Sequence, residues 1–232
     1  MFGLFYYDWT ILIVLPAFIF SVWAQIRVNT TFDKYSKILT RRGITGADAA
    51  RRVLNENGLY DVKIENIRGN LTDHYDPRSN VIRLSDSVYG SSSAAAVGVA
   101  CHEAGHAVQH AKGYFPIRVR SAVIPMTRFG SMLAIPLFMI GLILATDTLM
   151  LAGILLYAVV AFFQFVTLPV EFNASKRAME AIKTSGMLAP DEYTASRKVL
   201  TAAAMTYVAA LATSLLTLFR LLLLANGRSN RR

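Results

Sequence analysis

Residues 149–170 read LMLAGILLYAVVAFFQFVTLPV, a run without one charged side chain. A helix needs about 20 residues of this kind to cross the hydrocarbon of a bilayer, so the stretch predicts a membrane span. Three further stretches share its character: Trp9–Val28, uncharged until Arg27; Val123–Ala145, joined to the first by the short turn Thr146-Asp147-Thr148; and Thr201–Leu224, which contains Arg220. Pro16, Pro125, Pro136 and Pro169 fall within or at the ends of these spans. Membrane helices tolerate such kinks where neighbouring groups satisfy the freed carbonyls.

The composition agrees. Of 232 residues, 54% are hydrophobic and only 17% charged, with a mean hydropathy of +0.40. Soluble domains carry about 25% charged residues. Disorder, a collagen-like repeat and a disulfide-stapled secreted module are excluded on the same grounds. A single cysteine, Cys101, removes both an internal disulfide and a thiolate metal site.

Charge placement predicts the topology. The first residues carry no Lys or Arg, so a cleavable signal peptide is not expected, and Phe2, Phe5, Tyr6, Tyr7 and Trp9 read as an aromatic belt. Arg27, Lys34, Lys37, Arg41 and Arg42 follow the first span, which places the next region in the cytosol. Lys176, Arg177, Lys183, Arg197 and Lys198 return the 171–200 segment to the same side. Only the tail, with Arg228, Arg231 and Arg232, runs against the rule if the last segment spans. The expected organisation is a membrane anchor (1–28), a cytosolic α+β region (29–122), two membrane helices (123–170), a cytosolic helical segment (171–200) and a C-terminal membrane helix with a basic tail (201–232). The fold class is a mainly α membrane protein with about four transmembrane helices. The net charge of +9 invites a nucleic-acid partner, but no clustered basic helix or aromatic platform supports one. A face drawn to anionic headgroups of the lipid bilayer is the expected reading.

Within the polar region, Thr45 is placed to cap a helix ended by Gly58, and Val62–Ile67 alternates as a strand. Leu71–Tyr75 and Val81–Leu84 flank the turn chemistry of Asp76-Pro77-Arg78-Ser79-Asn80, which predicts a hairpin. A helix begins near Ser93 and leads into His102-Glu103-Ala104-Gly105-His106. On a helix, positions i and i+4 share one face about 5–6 Å apart, so both imidazoles can reach one Zn²⁺. Glu103, turned about 100° from His102, lies beside such an ion and can take a proton from water. A catalytic zinc site needs a third protein ligand, and His110, Glu171, Glu180 and His74 are the candidates. His110 lies about 12 Å along the axis from His102, too far for a straight helix to share the ion. Glu171 opens a new helix at an apolar boundary on this reading, where an unpaired carboxylate is costly; a Glu at a helix start is also favoured by the helix dipole alone. Tyr207 and His74 are candidates to donate to an oxyanion, against packing and a turn hydrogen bond respectively. Cys101 is expected to be a small buried hydrophobe. Val81–Leu84 is a candidate strand edge for an extended peptide.

Four motifs in order, Leu71-Thr72-Asp73-His74-Tyr75-Asp76-Pro77, the His102–His106 helix, Thr167–Ser175 and Ala202–Ala210, resemble the YugP family of membrane zinc metallopeptidases, with a wider similarity to HtpX-like membrane proteases. The resemblance implies a gluzincin-like, zincin-type site with His102 and His106 as zinc ligands, Glu103 as catalytic base and Glu171 as third ligand. In the wider pattern an Asp stands where this chain has Ser175, so Asn173, Ser175 or another group must orient the histidine. The expected function is a membrane-embedded zinc endopeptidase acting on peptides or proteins, membrane proteins among them by the resemblance. The alternatives are a site-2-type intramembrane protease, for which Asp147 is the sole candidate acidic partner in the spans but lacks the expected glycine, and a zinc-containing scaffold without catalysis.

Overall fold

The computed structural model describes residues 9–229. The belt residues Phe2, Phe5, Tyr6 and Tyr7 and the tail residues Arg231 and Arg232 lie outside them. Six helices and three strands follow in the order α1 (Ile11–Tyr35), α2 (Gly46–Glu56), β1 (Lys63–Ile67), β2 (His74–Asp76), β3 (Val81–Ser85), α3 (Ala94–Ala111), α4 (Phe115–Leu144), α5 (Asp147–Ser185) and α6 (Pro190–Ser229). Among the described residues four helices, α1, α4, α5 and α6, are long and apolar enough to cross a membrane. Each runs past the apolar stretch that predicts it, because a helix ends where its caps and packing end it, not where hydropathy does. The protein is thus mainly α with a small sheet.

The chain divides into two compact units. The first takes the residues up to Trp23, Val119–Leu168 and those from Tyr207 onward. Its helices expose large apolar side chains such as Phe18, Phe129, Met132, Ile143 and Phe165, the outward face that a lipid solvent accepts. Inside it, Phe138, Met150, Ile154 and Leu221 form a core. Gly153 lets α5 lie close on α4, since a Cβ there would stand 2.7 Å from the Ala134 carbonyl oxygen; such small-residue contacts drive helix packing in lipid. Two polar contacts join helices of this unit: the hydroxyls of Ser21 and Thr213 are 3.0 Å apart, and the Arg220 Nε–H donates to Thr10 Oγ1 at 3.1 Å.

The second unit takes Ala24–Arg118 and Pro169–Thr206. Thr45 caps α2 with a reciprocal capping box to Asp48, and Gly58, in the left-handed region at φ 73°, follows its end. The hairpin forms as expected, with β2 antiparallel to β3. The sheet order is β1-β3-β2, and β1 pairs β3 in parallel. Val81–Leu84 is therefore in the central strand, and the expectation that it offers an edge is corrected. Both sides of its backbone are occupied by ladder partners, and Val81, Ile82, Leu84 and Ser85 are buried. The open edge next to α3 belongs to β2, which pairs only with β3 among the described residues. Ser93 caps α3, its hydroxyl accepting from the Ala96 N–H at 3.1 Å. Leu54, Ile82, Leu84, Val97, Cys101 and Ile182 meet in one core beneath it; burial pushes the Cys101 thiol pKa up, and Cys101 packs as a small hydrophobe.

The hairpin turn is held by Asp76. Its carboxylate accepts from the Ser79 hydroxyl at 2.7 Å, the Arg78 N–H at 3.0 Å and the Arg83 guanidinium at 3.3 Å. These contacts, the Ser79 bond foremost, hold its pKa down to about 2. A pKa lowered by folding adds stability that is complete above the unfolded value of about 3.9 and is lost as pH falls toward the folded one. Between about pH 4 and 2 the wild type is expected to lose stability more steeply than Asp76→Ala, measured by thermal unfolding in detergent; parallel acid limbs would refute the turn's role.

Candidate metal centre

Helix α3 enters the core of the second unit as an Ala- and Gly-rich rod. Its caps fix its ends, and its small residues let two other helices lie against it. A Cβ at Gly105 would stand 2.8 Å from the carbonyl oxygen of Ala174 on α5, and one at Gly98 would stand 3.0 Å from Ser196 Oγ on α6. Ser196 in turn donates to the Ala94 carbonyl. Only a residue without a side chain at 105 permits the α5 backbone this near.

That approach brings a carboxylate onto two imidazoles. His102 and His106 stack one turn apart, ring centroids 4.7 Å apart and nearly perpendicular. Glu171 Oε2 lies 3.2 Å from His102 Nε2 and 3.5 Å from His106 Nε2. These three residues form a possible metal-binding group, one ligand atom from each, all within 4.8 Å of one another. Ligands about 2.0–2.1 Å from a tetrahedral Zn²⁺ stand about 3.3–3.4 Å apart, and the two Glu171–imidazole distances match that spacing. Glu171 is 2% exposed, and an anion so deeply buried requires a cation or several donors. Burial disfavours the charged form of His106, but the hydrogen bond to Glu171 and the charges of Glu103 and Glu171 outweigh it and raise its pKa above the ordinary value.

Glu171 does not open a helix. It sits well inside α5, which continues through Pro169 to Ser185. Proline removes the N–H that would bond the Phe165 carbonyl and usually marks a boundary; here the helix carries on. A helix-dipole explanation for this Glu therefore falls away.

Each imidazole is held from behind. His102 Nδ1 is 3.1 Å from Ser175 Oγ, the residue standing where the wider pattern has Asp. His106 Nδ1 is 3.0 Å from Gln109 Oε1. Gln109 is absent from the sequence reading; the signal was a polar residue three positions past His106 on an otherwise apolar helix. Its amide donates to the Val170 carbonyl at 2.8 Å and to Asn173 Oδ1 at 3.0 Å, and the Arg177 Nε–H donates to the same Asn173 oxygen at 2.8 Å. Asn173, one of the expected orienting groups, thus acts through Gln109 instead of touching a ring itself.

Glu103, 8% exposed, lies beside the trio without belonging to it. Its charge reaches Asp73, whose carboxylate accepts from the Ser85 N–H at 2.8 Å and is raised in pKa, chiefly by burial. The other ligand candidates lie elsewhere. His110 packs its ring on Tyr75 of β2, centroids 5.5 Å apart, and exposed His74 is hydrogen-bonded through Nδ1 to the Thr72 carbonyl at 2.9 Å. Glu180 is exposed and outside the group, and Tyr207 falls in the first unit.

Comparison with known proteins gives the family. A family profile described as "Putative neutral zinc metallopeptidase" matches residues 10–226. The chain belongs to this family. It is 47% identical over 219 residues to "Putative membrane protease YugP" of Bacillus subtilis (strain 168), covering 94% of this chain and 97% of that one. No solved structure matches. The family is one of zinc peptidases, and the four apolar helices agree with a membrane protein.

Gly105→Ala tests the helix contact. The added methyl is expected to force α3 and α5 apart, costing about 1–3 kcal/mol of stability and weakening divalent-metal affinity, both readable by thermal unfolding and chelator competition. Unchanged affinity would show that the contact does not set the site.

Proposed function

We propose that this chain is a zinc-dependent membrane endopeptidase in which His102, His106 and Glu171 hold one Zn²⁺ and Glu103 is the general base. The observation that carries the reading is the convergence of Glu171 Oε2 on both Nε2 atoms at 3.2 and 3.5 Å. When bound, the ion supplies Lewis acidity, polarising a peptide carbonyl and lowering the pKa of water to about 7. Glu103 takes the proton that attacking water gives up and hands it to the departing amine as the peptide C–N bond breaks. Its near-burial keeps bulk water from competing for that proton. The Glu103 charge is felt by Asp73, which is bonded to Ser85 at the end of β3.

The sheet order favours β2 as the strand along which substrate pairs. The outer edge of His74–Asp76 is free of strand partners among the described residues, and Tyr75 of that strand packs on α3. An extended peptide hydrogen-bonded there adds a fourth strand beside the zinc helix. Peptide or protein chains are the substrates, membrane proteins among them. The basic residues after the first span and across 171–200 favour a cytosolic location for the site.

Glu103→Gln is expected to bind zinc like the wild type and to lose peptide cleavage by about 10²–10⁴-fold. Retained cleavage would overturn the role of Glu103; a scaffold would be indifferent to the change. Glu171→Ala is expected to lose the ion, and metal content equal to wild type would remove it from the ligand set. Because protons compete with zinc for the imidazoles and the His106 pKa is raised, affinity should fall with decreasing pH, beginning above the ordinary imidazole value.

A further inference from the structure

The two imidazoles are held from behind by groups of different chemistry. Ser175 offers His102 a hydroxyl, which can give a hydrogen bond or accept one. His102 Nδ1 can therefore accept from that hydroxyl while Nε2 gives its proton to the Glu171 carboxylate 3.2 Å away, or donate to it when Nε2 meets a cation. Gln109 offers His106 no such choice. The Val170 carbonyl is an acceptor only, so the Gln109 group 2.8 Å from it must be the NH₂. The Arg177 guanidinium is a donor only, so the Asn173 atom it meets at 2.8 Å must be the oxygen. That same oxygen takes the second Gln109 N–H at 3.0 Å. Both amide hydrogens are committed, and the Gln109 oxygen is left facing His106 Nδ1 at 3.0 Å. A carbonyl-type oxygen accepts, so Nδ1 carries the hydrogen.

The remaining nitrogen, Nε2, faces the Glu171 carboxylate at 3.5 Å. His106 is thus flanked by acceptors on both sides, and Nε2 is satisfied only by a second proton or a cation. We propose that Gln109 is a positioning residue that commits His106 to bind a cation through Nε2, its amide locked by the Val170 carbonyl and by Arg177-anchored Asn173. Gln109 is 0% exposed, so no water can replace its oxygen and relax the constraint. His102, behind which only a hydroxyl stands, adapts to the ion; His106 is set for it in advance.

The proposal rests on the zinc reading, and its test separates the two. The protein is titrated with Zn²⁺ against a chromophoric chelator, and its ¹¹³Cd-loaded form gives ¹¹³Cd–¹⁵N couplings in ¹⁵N-labelled histidines. The wild type is expected to show coupling to Nε2 of His106 with a hydrogen retained on Nδ1. Gln109→Met, which keeps length but offers no amide oxygen, is expected to weaken zinc binding about 10–100-fold and to lose the Nδ1–H signature. Gln109→Glu restores an oxygen toward Nδ1 but sets its second oxygen against the Val170 and Asn173 acceptors, so it should recover only part of the affinity while restoring the Nδ1–H signature. Should Gln109→Met fold poorly, Asn173→Leu unlocks the amide at a half-buried site and should move affinity in the same direction by a smaller factor. Unchanged zinc affinity in Gln109→Met, or coupling through His106 Nδ1, would overturn the proposal alone. Wild-type protein that binds no zinc would overturn the zinc reading and the proposal with it.

Discussion

The site depends on one helix contact. Where α3 presents Gly105 to Ala174, the two backbones approach closely enough for Glu171 on α5 to reach both histidines on α3. A carboxylate buried to that degree is unstable by several kcal/mol unless opposite charge or donors meet it. The imidazoles meet it, and what sits between them and Glu171 decides the local electrostatics. The acid, the two rings and the small residue that brings them together form one unit of design, because the Gly105 approach is what lets Glu171 reach both rings.

Around this contact the polar groups are arranged so that few can change partner. Gln109, Asn173 and Arg177 hand one direction of hydrogen bonding from a surface guanidinium to a buried imidazole. Ser175 leaves the other imidazole freer. The same helix, α5, supplies Glu171, Asn173, Ser175 and Arg177 within two turns, and its unbroken passage through Pro169 fixes their rotation about a common axis. A helix beginning at Glu171 would have left that rotation to a loop.

The sheet carries a second lesson about function. Its middle strand is β3, so an incoming chain can pair only at an outer strand, and β2 is the one whose Tyr75 rests on α3. Asp76 and its three donors hold the turn beside that edge, and Asp73 ties the start of the hairpin to Ser85. The elements on the Glu103 side are thereby held by side-chain to backbone bonds as well as by the ladder.

Much was legible in the amino-acid order. Hydropathy located four membrane helices, the cap at Thr45 located α2, the helix start near Ser93 located α3, and turn residues located the hairpin, because each of these is set by neighbours within a few positions. The four-residue spacing placed His102 and His106 on one face for the same reason. Pairing along the sheet was not legible: β1 joins β3 across an intervening hairpin, and that parallel ladder is a nonlocal choice. Nor could the order of residues reveal that Pro169 leaves α5 intact, that Gly105 seats Ala174, or that Gln109 takes the place behind His106. Local sequence determined which side chains could bind an ion; the packing of α5 on α3 decided which of them meet, since burial and hydrogen-bond partners far apart in the chain exist only once the helices touch.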